Sequence, residues 1–152
     1  MRKRLIIAFI LIFYSAFIIK LLVFKFDLIK IGHLRFKFSP ETGEGNVVPF
    51  KTILFYLRGR PTWSMAILNL VGNIALFVPI GFLLPLVYRK MTWLKCLVIA
   101  IALGFTIEGM ELVFRVGIFD IDDVILNALG VMIGYWAFVI FTKWRQPQLK
   151  SA

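Results

Sequence analysis

The sequence predicts an all-α membrane protein, with four transmembrane helices in a single bundle and a long structured first loop. Three observations carry this. Of its 152 residues, 61% are hydrophobic and only 17% charged, with a mean hydropathy of +0.89. Soluble domains run at about 45–50% apolar and about 25% charged, so this chain has more apolar surface than one water-soluble core can hide. Second, apolar windows of roughly 20 residues, the length a helix needs to cross about 30 Å of hydrocarbon, lie between clusters of charge. Third, the 18 Lys and Arg, against 8 Asp and Glu, crowd the ends of those windows, where they meet lipid headgroups. The lipid bilayer is therefore the expected partner, and nucleic acid is not. One cysteine, Cys96, and one histidine, His33, supply neither a disulfide nor a metal-ligand set, and no cofactor is expected.

The first span runs from Leu5 to Phe24 behind Met1-Arg2-Lys3-Arg4. It reads as a signal anchor over 1–24, because Ile18-Ile19-Lys20-Leu21-Leu22-Val23-Phe24 lacks the small residues that signal peptidase requires. Lys20 lies near enough to the span end to extend its ammonium to the interface. Residues 25–65 form an interfacial loop, broken by Gly32, Pro40, Gly43, Gly45, Pro49, Gly59 and Pro61. Within it, Leu34-Arg35-Phe36-Lys37-Phe38 alternates as a strand or surface segment would, and Phe50 to Leu57 suits a short helix on the membrane surface. A three-helix core occupies 66–145, with spans at Ala66–Val87, Leu94–Phe114 and about Val124–Phe141, before a short polar tail over 146–152. Bases in the short segments, Arg2 to Arg4, Arg89 to Lys95 and Lys143 to Lys150, fall on one side, which predicts cytoplasmic termini. The seven bases of the first loop oppose that vote.

Charged side chains at the centre of a bilayer cost about 2–4 kcal/mol each, so their placement is informative. Asn69 and Asn73 share a face in the outer half of span two, and Glu108 and Glu111 share one in the outer half of span three. The following connection holds Arg115, Asp120, Asp122 and Asp123, and Asn127 lies one turn inside span four. Three spans thus put polar groups at one depth. Two readings fit: a polar cleft for a headgroup-sized or peptide-sized partner, or asparagines that merely join helix to helix. For Glu108 the functional reading is stronger, since a carboxylate in hydrocarbon must be paired or protonated. Asp123 equally suits a first-turn residue or cap of span four. Gly130-Val-Met-Ile-Gly134 matches the close-packing G-x-x-x-G pattern and reads as a contact within the monomer. Pro79, Gly81 and Pro85 permit a bend in span two.

No metalloprotease, serine-hydrolase, phosphate-loop or dinucleotide motif is present. Catalysis would have to use carboxylates, with Glu108 and Asp123 as acid and base and Arg115 or Arg58 screening an anion. A small transporter subunit is a further class, set against the lack of a sequence repeat.

Four blocks resemble the VanZ-like family of bacterial membrane proteins, the teicoplanin-resistance protein type. They are Asn46-Val-Val-Pro49-Phe50-Lys51-Thr52, Asn69-Leu-Val-Gly72-Asn73-Ile-Ala-Leu-Phe77-Val-Pro79-Ile-Gly81-Phe82, Glu108-Gly-Met-Glu111, and Asp120-Ile-Asp122-Asp123-Val-Ile-Leu-Asn127-Ala-Leu-Gly130. Glu111 stands where the family often has Gln, and Gly117 or Ile118 where it often has Arg, with Arg115 just upstream. The resemblance implies a multi-pass protein of the bacterial cytoplasmic membrane that lowers susceptibility to lipoglycopeptide antibiotics. It implies a non-enzymatic binding or shielding role at the outer leaflet, toward the antibiotic or a lipid-linked cell-wall precursor. The alternative is a membrane-embedded enzyme acting on a lipid-linked substrate.

Overall fold

The computed structural model describes residues 2–23, 45–115 and 117–148. These form five helices: α1 (Arg2–Val23), α2 (Lys51–Leu57), α3 (Trp63–Val87), α4 (Trp93–Val113) and α5 (Ile121–Gln148). Among the described residues there is no strand, only an isolated parallel bridge between Asn46 and Asp120. Helices α1, α3, α4 and α5 are each long and apolar enough to cross a membrane, and α2 is the short helix expected between Phe50 and Leu57. The alternating Leu34–Phe38 segment lies outside the described residues.

Local chemistry sets the boundaries. Thr62 is extended and its hydroxyl oxygen accepts the Met65 amide at 3.3 Å, which starts α3 three residues before the apolar window does. Thr92 does the same for α4, accepting the Lys95 amide at 3.4 Å. Lys95 also lies over the Tyr88 ring at 5.2 Å, so the short α3–α4 connection anchors itself with a cation against an aromatic face. Helix α4 ends where Arg115 takes a left-handed φ of 55°. Helix α5 outruns the expected span and continues to Gln148.

Helices α3 and α5 run parallel with their backbones in contact. A methyl group at Gly130 would collide with the Ile74 carbonyl oxygen, one at Gly134 with that of Val78, and one at Gly81 with that of Val131. The G-x-x-x-G pattern is thus consumed inside the chain, because close approach without a Cβ maximises van der Waals contact where the hydrophobic effect gives none. Helix α4 packs on α5 through Gly104, where a Cβ would sit 3.0 Å from the Val124 side chain. Helix α1 covers α3 and α4, buries Ile18, and sends the Tyr14 hydroxyl to donate to the Leu76 carbonyl at 3.0 Å. That bond falls in the turn just before Pro79, whose missing N–H leaves the neighbouring Ala75 carbonyl without its helical donor. Phe77, Ile80, Ala100, Ile107 and Val131 fill the core between these helices.

Candidate functional site

The polar residues gather at the end of the bundle where α3 and α5 begin, α4 finishes and α2 lies across. The order is built from Asp120 outward. Asp120 caps α5, its Oδ1 accepting the Asp122 amide at 2.9 Å. Its backbone faces Asn46: the Asn46 amide donates to the Phe119 carbonyl at 2.7 Å and the Ile121 amide donates to the Asn46 carbonyl at 2.9 Å. The Asp120 carboxylate also accepts from Asn46 Nδ2 at 2.9 Å and from the Thr52 hydroxyl at 2.6 Å. Asn46 Nδ2 in turn donates to Thr52 Oγ1 at 3.0 Å, closing a ring of three side chains.

Asp122 is wholly buried and caps a helix other than its own. Its carboxylate accepts the amides of Phe50 at 2.5 Å, Thr52 at 2.7 Å and Ile53 at 3.0 Å. These are the donors left unsatisfied at the start of any helix. Helix α2 has no side-chain cap of its own, and Phe50 sits there with a left-handed φ of 67°. A carboxylate from α5 thus supplies what the local sequence omits, and it meets the positive end of the α2 dipole.

Deeper in the bundle, Glu108 is 2% exposed and its Oε2 accepts the Asp120 amide at 2.8 Å. It shares one electrostatic neighbourhood with Asp123, Glu111 and Asp120. Asn73 Nδ2 donates to Asp123 Oδ1 at 2.9 Å, tying α3 to α5. Asn69, one turn earlier on α3, and Asn127, one turn later on α5, each have a side-chain oxygen shut from solvent without a donor among the described residues. Asn127 is 1% exposed.

Of the residues singled out in the sequence, the structure therefore brings Asn69, Asn73, Glu108, Glu111, Asp120, Asp122, Asp123 and Asn127 to one end of the bundle. Asp123 lies in the first turn of α5 with its side chain on Asn73, while the cap itself is Asp120. Arg115 is exposed and makes no ion pair with these carboxylates among the described residues; Arg58 is exposed at the end of α2. Asn46 and Thr52 hold the network together and were not singled out by depth, because both precede α3 in the loop. Their signal was present in the Asn46–Thr52 block of the family resemblance.

The family model described as VanZ/LLP1 matches residues 9–142. A curated relative, "Protein VanZ" of Enterococcus faecium, is 31% identical over 66 residues, covering 43% of this chain and 41% of the relative. The aligned region thus spans less than half the length of that protein. No solved structure matches.

Proposed function

The chain belongs to the VanZ/LLP1 family, and from that premise we propose that it is a non-enzymatic binding or shielding protein. It sits in the bacterial cytoplasmic membrane with both termini inside and the polar end of the bundle at the outer leaflet. There it engages a lipoglycopeptide such as teicoplanin or the lipid-linked cell-wall precursor, and so lowers susceptibility to the antibiotic. One observation supports binding over catalysis: Asp120, Asp122 and one oxygen of Glu108 are already engaged as acceptors inside the protein. Asp122 holds three amides of α2, Asp120 holds Asn46, Thr52 and the α5 amide, and Glu108 holds the Asp120 amide. A general base needs a free lone pair aimed at substrate, and oxygens spent on backbone donors do not provide one.

Titrated expression in a susceptible host tests this, with precursors compared by mass spectrometry. Occupancy gives protection that rises with copy number and saturates near the amount of target. An enzyme turning over at about 1–10³ per second protects when scarce and leaves a modified product. A changed precursor mass at low expression overturns the shielding reading.

A further inference from the structure

We propose that the seam between the starts of α3 and α5 is a binding site for a protonated primary amine, held by the side-chain oxygens of Asn69 and Asn127 on either side of the Asn73–Asp123 bond. The proposal rests on the reading of this end of the bundle as a ligand site and names the chemistry of what it takes.

The donors and acceptors of the network do not balance. Asp120, Asp122 and Glu108 Oε2 receive hydrogens from the loop, α2 and α5. The side-chain oxygens of Asn69 and Asn127 receive none among the described residues, although both are closed off from water. A buried acceptor without a donor is costly, and in hydrocarbon there is no solvent to relieve it. The two oxygens are not scattered. Asn69 precedes Asn73 by one turn on α3, and Asn127 follows Asp123 by one turn on α5. Asn73 Nδ2 donates to Asp123 Oδ1 at 2.9 Å between them. Just below, Gly130 brings the α5 backbone against Ile74 and closes the seam. Above it, Asn69, Asn73 and Asp123 are only half-buried.

What would fill it must carry donors and positive charge. Asp123, Glu111 and Asp120 each act electrostatically on Glu108, and the orphaned atoms are both acceptors. A bare metal ion is the poorer complement, because no three acidic, His or Cys side chains among the described residues stand close enough to ligate one. An ammonium group has three N–H donors diverging from one nitrogen, which suits two carboxamide oxygens with a carboxylate between them.

The test uses the full chain in phosphatidylcholine nanodiscs, with para-fluorobenzylamine as probe followed by fluorine NMR, and its N-acetyl derivative as the uncharged control. The amine is expected to bind and the acetylated compound to fail. Asn127→Leu should weaken the amine by about tenfold or more while leaving the unfolding temperature unchanged or raised, since it removes an unsatisfied acceptor. Asn127→Asp should tighten binding. Equal binding of both compounds overturns the assignment, as does unchanged affinity in Asn127→Leu. Displacement of the amine by calcium retained on the protein would assign the seam to a metal instead. Should Asn127→Leu fail to fold, the acetylation comparison on the unaltered chain and the Asn69→Leu variant decide the matter. A protein that binds the amine yet leaves antibiotic susceptibility unchanged sinks the shielding function alone; protection without amine binding sinks this assignment alone.

Discussion

Asp122 shows how much one side chain can hold. It has no exposed surface and satisfies three amides of α2. Asp122→Ala is expected to cost about 1.5–3 kcal/mol or more, the range for a hydrogen bond to a charged group, and to free the Thr52 and Ile53 amides for hydrogen exchange. Retained protection at those two amides would refute this role. Glu108 makes a contrasting pair. Glu108→Gln still presents an oxygen to the Asp120 amide, so the fold should survive; Glu108→Leu strands that amide and should lose about 1–3 kcal/mol. Equal unfolding temperatures for the two variants would contradict this. Sequence spacing placed Glu108 and Glu111 on one face and at the depth of Asn73 and Asp123, because helical periodicity and membrane depth are local properties. It did not reveal that Asp122 caps α2. That contact joins residues 72 positions apart and depends on the left-handed backbone at Phe50, which nothing in the local sequence announces.

At the level of the helix, the parallel contact of α3 with α5 decides the packing. Gly130, Gly134 and Gly81 let carbonyl groups of one helix rest where the other would carry a Cβ. Gly134→Ala is expected to push the helices apart and destabilise the protein by about 1–3 kcal/mol, with the sedimentation behaviour of the folded fraction unchanged. A change of oligomeric state without loss of stability would mean instead that the glycines face a second copy. The four spans were legible because length, apolarity and flanking charge sit within each window. The identity of the helix that receives the glycines was not, since G-x-x-x-G specifies closeness and leaves the partner open. The boundaries moved for equally local reasons, as when Thr62 began α3 ahead of the apolar run.

For the whole molecule, an even number of candidate spans predicts that the start of α1 and the end of α5 share one membrane face, opposite the polar network. The short-segment bases predict that the termini are cytoplasmic. Arg115→Cys, at an exposed position beside the network, should react with an impermeant thiol reagent in intact cells, and Lys90→Cys, at the exposed α3–α4 connection, only after permeabilisation. Cys96 can stay, being wholly buried. The opposite labelling pattern would invert the topology and leave the network intact.

The bond between Asn73 and Asp123 spans 50 positions, and the one between Asn46 and Asp120 spans 74. During synthesis, α3 therefore enters the bilayer before its acceptor exists. At roughly 5–20 residues per second, its carboxamides wait several seconds for α5. Until then α2 also lacks its cap, since Asp122 has not emerged. A nascent chain halted after α4 would leave two asparagines of α3 without α5 against them and α2 without its cap. Arrival of the last helix gives Asn73 its acceptor and α2 its cap together, so the aspartates that open α5 complete two elements made long before them.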